Sequence, residues 1–249
     1  MHYDIILQHL IEQEQAKREY CVTVEDRKRL DAMLLEINNI TDAGVHYLAE
    51  LDFFSIKGAG NIVKDYIFRY ESESIRSYLL HFLVNDQVRD CDKIVYQLYL
   101  HFKGSKCYIP LPDQPGSLAI YMRYDNAFKR LKPKKIKAEL QSLAYNPRDA
   151  FYLPLTMCML ASWKLPDLEA LFVSYMESKN ITPESVGLSD CSENYHPSLF
   201  FIRRELKFTA IECLKYYPSM STFELIKGCS ADHDKDISMA AQKTLKYME

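Results

Sequence analysis

The end of the chain contains the same twelve-residue pattern twice. Residues 206–217 recur as residues 237–248, 31 positions further on, and four of the twelve paired positions are identical. Two further positions are apolar in both copies, namely Leu206 with Ile237 and Phe208 with Met239. A fixed period of roughly 20 to 50 residues is typical of repeat proteins, in which each helical hairpin buries its apolar face only against its neighbours. The repeat therefore predicts a stack of helical hairpins.

A third copy of the pattern lies earlier in the chain, with apolar side chains at Ile75, Leu79, Leu80 and Leu83. Only 7 Gly and 10 Pro, against 18 Tyr and 12 Phe, favour long helices over the closely spaced turns of a β-sandwich or barrel. The 249 residues, of which 48% are hydrophobic, are enough to bury a core. We predict an all-α chain arranged as an α-solenoid, a superhelix of antiparallel helix pairs.

Apolar residues at helical spacing predict where the other helices lie. The predicted segments are residues 3–20, 24–37, 62–70, 90–104, 118–131, 133–144, 149–163 and 167–176. The stripe of the first helix is formed by Ile5, Ile6, Leu10 and Ile11. Thr23, three residues before Asp26, has the spacing of a helix N-cap. Thr182 followed by Pro183 predicts another helix start.

The helical pattern stops between residues 105 and 117, where three prolines occur. We predict an irregular connection over residues 105–117 between N-terminal helical hairpins, residues 1–104, and C-terminal repeats, residues 118–249. The alternative is one continuous solenoid. Residues 187–197 form a second irregular, polar stretch.

The charge and cysteine content bear on the partners and the cellular compartment that the sequence predicts. Thirty-one Lys and Arg against 34 Asp and Glu give a formal net charge of −3, which predicts no general attraction to DNA or acidic membranes. No apolar run reaches the roughly 18 to 20 residues of a membrane span, and the N-terminus lacks the features of a signal peptide. The 7 cysteines form no Cys-x-x-Cys pair and predict reduced, mostly buried thiols, with Cys158 and Cys213 in the most apolar surroundings. We predict a cytoplasmic protein.

Known catalytic and metal-binding motifs do not occur in the sequence. The cluster of residues 232–236 contains three Asp residues but lacks the central Gly and later Glu of a calcium loop. Gly58 and Gly60 form a helix breaker with no phosphate-binding Lys at the right spacing. Cys191 and His196 lie in an irregular stretch that predicts no common geometry. We expect no catalytic residue, no metal and no cofactor.

Basic residues concentrate in one segment, between residues 123 and 137. Asp125 is the single acid there. Lys129, Arg130 and Lys132 complement the dipole at the end of one helix, which is a structural role, whereas Lys134 and Lys135 oppose the dipole at the start of the next helix. The segment therefore indicates an anionic or acidic partner, and the alternative is a solvated helix face. A second basic site is Arg203-Arg204. The predicted partner-binding residues are Arg123, Lys129, Arg130, Lys132, Lys134, Lys135, Lys137, Arg203 and Arg204. The neighbouring Tyr121, Tyr124 and Phe128 favour core positions over a platform that stacks nucleic-acid bases.

The C-terminal residues resemble a HEAT-type helical repeat, of the kind found in bacterial HEAT-repeat domains. The likeness rests on a first helix over residues 219–227, a polar turn over residues 231–236 and a second helix over residues 237–245 with an Ala pair before a Leu. In the family, an Asp of the turn and an Arg of the helix form a ladder between repeats. Here the Arg position holds Ser238, with Lys207 and Arg76 at the equivalent places.

The resemblance implies a non-enzymatic interaction scaffold or adaptor that binds an acidic partner protein on a concave or basic surface. The alternative is a nucleic-acid-binding protein related to alkylpurine DNA glycosylases, which are built from HEAT-like repeats and use aromatic residues and an Asp in a basic groove. Trp163 and Asp167 invite that comparison, but Pro166 predicts a helix break between them. The net negative charge also disfavours it.

Overall fold

The computed structural model describes residues 2–21, 23–54, 56–104, 115–178, 181–186, 188 and 197–248. The regular structure in these residues is entirely helical, so the prediction of an all-α chain is confirmed. The chain divides into two compact units, residues 1–107 and residues 108–249. Residues 105–114 of the predicted connection, and most of the second irregular stretch, lie outside the described residues.

The described part of the first unit contains six α-helices. They are α1 (His2–Cys21), α2 (Val24–Thr41), α3 (Leu48–Phe54), α4 (Ala59–Tyr66), α5 (Glu73–Asn85) and α6 (Cys91–Lys103). Helix α1 packs on α3, α2 on α4, and α5 on both α4 and α6. Leu30, Met33 and Ile37 of α2 and Leu79 and Leu83 of α5 are almost completely buried. The predicted apolar positions of these two helices therefore form the core of the unit.

The apolar stripe of α1 is different. The predicted helix is confirmed, but Ile5 and Ile6 are 63% and 54% exposed and Leu10 is 40% exposed. The carboxylate of Glu14 in α1 accepts hydrogen bonds from the backbone N–H groups of Leu48 (2.9 Å) and Ala49 (2.8 Å) at the start of α3. Hydrogen bonds from the start of α3 to Glu14 therefore help to hold α1 against α3.

The described part of the second unit contains eight α-helices. They are α7 (Pro115–Leu131), α8 (Lys137–Ala144), α9 (Pro147–Tyr152), α10 (Pro154–Ser162), α11 (Pro166–Glu177), α12 (Pro197–Leu214), α13 (Met220–Cys229) and α14 (Lys235–Met248). Helices α7 and α12 both pack on α10, α11 packs along α12, and α14 packs on α12 and α13. The two copies of the C-terminal pattern therefore lie on neighbouring helices.

Several predicted boundaries are wrong, and prolines account for most of them. Pro154 has no backbone N–H and begins a new helix, so the predicted helix over residues 149–163 is two helices, α9 and α10. Residues 115–117, predicted to be irregular, form the first turn of α7 because proline is well suited to the first helical position. Thr182 and Pro183 precede only a short 3₁₀ turn, Glu184–Val186.

Helix starts in both units are capped by carboxylates from distant parts of the chain. The predicted local cap at Thr23 is confirmed, since its hydroxyl accepts the backbone N–H of Asp26 at 3.1 Å. The buried carboxylate of Asp26 in turn accepts the backbone N–H groups of Glu71 (3.0 Å) and Ser72 (2.9 Å), directly before α5. These bonds satisfy donors that a helix cannot pair within itself.

Gly58 and Gly60 act at the start of α4, as their interpretation as a helix breaker predicts. Gly58 adopts φ +88° immediately before the helix. At Gly60 a Cβ atom would lie 2.7 Å from the carbonyl oxygen of Phe82, so the closeness of α4 to α5 requires glycine there. The backbone N–H of Gly60 donates to the carboxylate of Asp86 at 2.7 Å. Gly58 therefore serves the start of α4, and Gly60 serves its packing against α5.

Candidate partner-binding surface

The basic segment lies across the end of α7, a short turn and the start of α8. Lys132 has a positive φ of 46° and ends α7, after which residues 134–136 form a 3₁₀ turn and Lys137 begins α8. Lys134 and Lys135 therefore sit in that turn, one step before the helix to which the sequence assigned them. The exposed basic side chains of the segment are Lys129, Arg130, Lys132, Lys134, Lys135 and Lys137.

None of these five lysines forms an ion pair with another residue of the described chain. Arg123 is half-buried, and Arg123 and Arg130 both make interactions within the structure. The structure thus separates the predicted segment into two arginines that have partners inside the chain and a set of lysines that project into solvent.

Asp125, the only acid of this segment, faces the interior. It is 3% exposed, and its carboxylate accepts the backbone N–H groups of Leu155 (2.9 Å) and Thr156 (2.7 Å) and the Thr156 hydroxyl (2.7 Å). It caps the start of α10. Burial raises the pKa of Asp125 to about 6, against the lowering effect of its hydrogen bonds and of the charge of Lys129. The Asp125 carboxylate therefore stabilises the start of α10 and forms no ion pair with the exposed lysines.

The aromatic residues beside the lysines belong to the core. Tyr121, Tyr124 and Phe128 each have 0% exposure. The ring of Tyr121 stacks on that of Tyr152, with centroids 3.7 Å apart. The preference for core positions over a base-stacking platform is confirmed, because no part of these rings reaches the surface.

The second predicted basic site, Arg203-Arg204, is engaged within the second unit. The guanidinium of Arg203 donates two hydrogen bonds to the carbonyl oxygen of Ile181, at 3.0 and 2.7 Å. The guanidinium of Arg204 pairs with Asp234 and Asp236, each at 2.5 Å, and also with Glu205. Both arginines thus direct their donors to groups of their own chain.

Arg204 belongs to a set of charged contacts between α12 and the turn before α14. Lys207 of α12 pairs with Asp232 at 2.5 Å. The hydrogen bonds from Arg204 lower the pKa of Asp234, and the hydrogen bond from Lys207 lowers the pKa of Asp232. The Asp234 carboxylate also accepts the backbone N–H of Asp236 at 2.9 Å and so caps α14. The carboxylates of the acidic turn considered as a cation site are therefore paired with cationic side chains of α12.

A groove of about 360 Å³ runs between α12 and α14. The apolar residues on it include Phe208 and Met239, the pair of equivalent apolar positions in the two copies of the repeat. Met239 is 61% exposed, whereas the other apolar pair, Leu206 and Ile237, is buried at 1% and 2% exposure. The repeat therefore places one apolar pair in the core and one on the surface.

One cluster of charged residues in the first unit, around Arg76, was not found from the sequence. Glu73 and Arg76 are each 5% exposed and form a buried ion pair at 2.9 Å. The Arg76 guanidinium also approaches Nδ1 of His101 at 2.6 Å and donates to the carbonyl oxygen of Glu71 at 3.1 Å. The spacing of Glu73 and Arg76 on one helical face was visible in the sequence, but the approach of α6 was not.

The remaining candidates for chemistry are not brought together among the described residues. No cluster of His, Cys, Asp and Glu able to hold a metal ion occurs in the described part of the chain. Trp163 directly follows the last residue of α10 and Asp167 lies in the first turn of α11, so they do not share a helix. Cys191 and His196 are outside the described residues.

The chain was compared with known protein families, curated proteins and solved structures. No family model, no curated protein and no solved structure matches the chain. No helix among the described residues has the length and apolar character needed to cross a membrane. The contacts and charges described above are therefore the basis for assigning a function.

Proposed function

We propose that the protein is a non-enzymatic interaction scaffold whose second unit binds an acidic partner protein through the exposed lysines of residues 129–137. The observation that carries this proposal is the lack of any ion pair on five neighbouring lysines, combined with the burial of the only acid in their segment. Arg203 and Arg204 are not part of the proposed contact surface, because their guanidinium groups donate hydrogen bonds within the chain.

Electrostatics supports an acidic partner. Like charges at this spacing repel one another, and Lys134, Lys135 and Lys137 lie near the start of α8, where the helix dipole disfavours cations. An anionic surface docked there relieves both effects. Such a contact increases the rate of association and the specificity for one partner more than it increases the affinity.

The arrangement of α11 to α14 supports a HEAT-like solenoid in the second unit. Helices α11 and α12 pack as one pair and α13 and α14 as the next, and α12 also packs on α14. The ion pair of Lys207 with Asp232 links the two pairs at the place where the HEAT family has its Asp-to-Arg ladder. In this proposal α12 and α14 are the equivalent helices of successive repeats, and the groove between them adds apolar contacts to the partner.

The experiment uses the tagged full chain as bait in a cell extract, with captured proteins identified by mass spectrometry. The test variant carries Lys132→Glu, Lys134→Glu, Lys135→Glu and Lys137→Glu. A matched control places the same change of charge on exposed lysines outside the proposed binding surface, with Lys28→Glu, Lys57→Glu, Lys93→Glu and Lys164→Glu. We expect one acidic protein to be captured by the wild type and the control and lost from the test variant.

The captured protein is then purified and its affinity for the wild-type chain is measured at increasing salt. A steep loss of affinity with salt for the wild type, and a shallow one for the test variant, supports a contact through the lysines. Capture that is equal in the test variant and the wild type contradicts the proposal.

Nucleic acid is the competing ligand for a lysine cluster, and the same experiment distinguishes it. If the material lost from the test variant is nuclease-sensitive nucleic acid and no protein depends on the lysines, the alternative of a nucleic-acid-binding protein replaces the scaffold. The proposed setting is the cytoplasm, where thiols are kept reduced.

A further inference from the structure

Two cysteines that are 55 positions apart in the sequence face each other in the second unit. Sγ of Cys158 on α10 and Sγ of Cys213 on α12 are 3.7 Å apart, and both residues are free thiols. The helices that carry them pack directly on each other. A disulfide requires the sulfur atoms to approach to about 2.05 Å. Rotation of the two side chains is the kind of movement that can supply this approach between helices already in contact.

The two thiols differ in access to solvent. Cys213 is completely buried, whereas Cys158 is partly exposed at the surface of α10. An oxidant therefore reaches Cys158 first. Cys213 lies directly behind it, in the position of a resolving thiol.

The contact between the thiols also favours reaction at Cys158. The Cys213 thiol donates a hydrogen bond to the Cys158 sulfur, which lowers the pKa of Cys158, and the positive charge of Lys215 acts in the same direction. Burial raises the pKa of Cys213. The thiolate is the reactive form of cysteine, so the more exposed member of the pair is also the better nucleophile.

We propose that Cys158 and Cys213 are a site of reversible oxidation, at which hydrogen peroxide converts the two thiols into a disulfide that joins α10 to α12. The proposal is independent of the scaffold function and of the lysine surface.

The reaction proceeds in two balanced steps. The Cys158 thiolate attacks one oxygen of hydrogen peroxide, the O–O bond breaks, and a sulfenic acid and hydroxide form. The sulfur of Cys213 then attacks the Cys158 sulfur, the S–S bond forms, the S–O bond breaks, and the departing hydroxide leaves as water with the proton of Cys213. In total the two thiols lose two electrons and two protons, and peroxide is reduced to water.

The other described cysteines serve as comparisons. Burial raises the pKa of Cys91 to about 11 and also raises the pKa of Cys229. Neither forms a contact with another cysteine among the described residues. Both are expected to react more slowly than Cys158.

The test treats the purified full chain with hydrogen peroxide at low molar excess and maps the tryptic peptides without reduction. Cleavage after Arg148, Lys164, Lys207 and Lys215 releases one peptide with Cys158 and another with Cys213, each containing a single cysteine. We expect these two peptides to appear linked, with a mass lower by two hydrogen atoms, and to separate after reduction with dithiothreitol.

Single variants provide the controls. Cys158→Ser and Cys213→Ala are expected to abolish the linked peptide pair, while Cys229→Ser retains it. Because Cys213 is buried, circular dichroism and the thermal transition of its variant establish that it folds. Trp163, the only tryptophan, directly follows α10, five residues after Cys158, so its fluorescence is expected to change on oxidation and to recover on reduction.

Two results overturn the proposal. One is stable sulfinic acid at Cys158 with no linked peptides, which shows that Cys213 does not resolve the sulfenic acid. The other is a disulfide between different cysteines that forms equally well in the Cys158→Ser variant.

Discussion

The two basic clusters of the second unit resemble each other in sequence but not in structure. Arg203 donates to the carbonyl oxygen of Ile181, and Arg204 donates to the carboxylates of Asp234 and Asp236 beside the start of α14. The lysines of residues 129–137 have no ion pair among the described residues, and the acid beside them, Asp125, is buried under α10. A basic cluster thus becomes structural where folding brings carboxylates to it. A basic cluster remains a candidate binding surface where the neighbouring carboxylate, here Asp125, caps another helix.

The largest expected effect concerns Asp125, the buried acid beside the lysines. Asp125→Ala leaves two backbone N–H groups and a hydroxyl without their acceptor in a buried place. We expect a loss of about 2 to 3 kcal/mol in the free energy of unfolding at pH 7, measured by urea titration. The exposed Asp65→Ala is the control and is expected to change stability by less than about 0.5 kcal/mol. A near-neutral Asp125→Ala contradicts the capping role.

The pH dependence of stability is expected to have opposite signs at the two clusters. The Asp125 carboxyl ionises near 3.8 when unfolded and near 6 when folded, so between these values the folded chain holds the proton more tightly. The stability of the wild type relative to Asp125→Asn is therefore greatest below pH 3.8 and falls as pH rises to about 6, by about 3 kcal/mol. Unfolding of both proteins at several pH values measures it.

At the other cluster, the pKa values of Asp232 and Asp234 are lowered by Lys207 and Arg204. Their contribution to stability is present above the unfolded pKa and is lost as pH falls through the lower, folded pKa. The wild type should therefore lose stability relative to Asp234→Asn on acidification. If the two Asn variants show the same sign, the contrast between the clusters is wrong.

A smaller effect is expected from removing the cation of the structural cluster. Arg204→Ala removes the pairing with Asp234 and Asp236 and is expected to cost about 1 kcal/mol, since these side chains are partly exposed. Arg204→Lys keeps the charge but not the forked geometry and should cost less. A double-mutant cycle with Asp234→Asn isolates the pair, and additive single effects indicate that the contact does not stabilise the stack.

The smallest expected effect on stability belongs to the lysines. Replacing Lys132, Lys134, Lys135 and Lys137 by Glu should change the free energy of unfolding by less than about 0.5 kcal/mol per site, because no internal contact is lost. Urea unfolding of the variant measures this. A large loss of stability shows that the lysines are structural, like Arg204.

Helix type and position were accessible to sequence reasoning where local rules apply. The cap at Thr23, the end of the predicted helical segment at Gly104 and the buried faces of α2 and α5 follow from residue spacing. The single helix predicted over residues 149–163 failed because its apolar residues continue through Pro154, which interrupts the backbone but not the pattern. The exposed stripe of α1 failed because spacing identifies an apolar face but not what covers it.

The sequence by itself determined that the chain is helical and that its C-terminal pattern is repeated, because helix formation and capping depend on residues a few positions apart. Only the tertiary structure decided which charges are neutralised and which thiols meet. Asp125 reaches α10, Asp234 reaches Arg204 and Cys158 reaches Cys213 across 30 to 55 positions. Contacts of such range depend on how helices pack, and no local pattern encodes that.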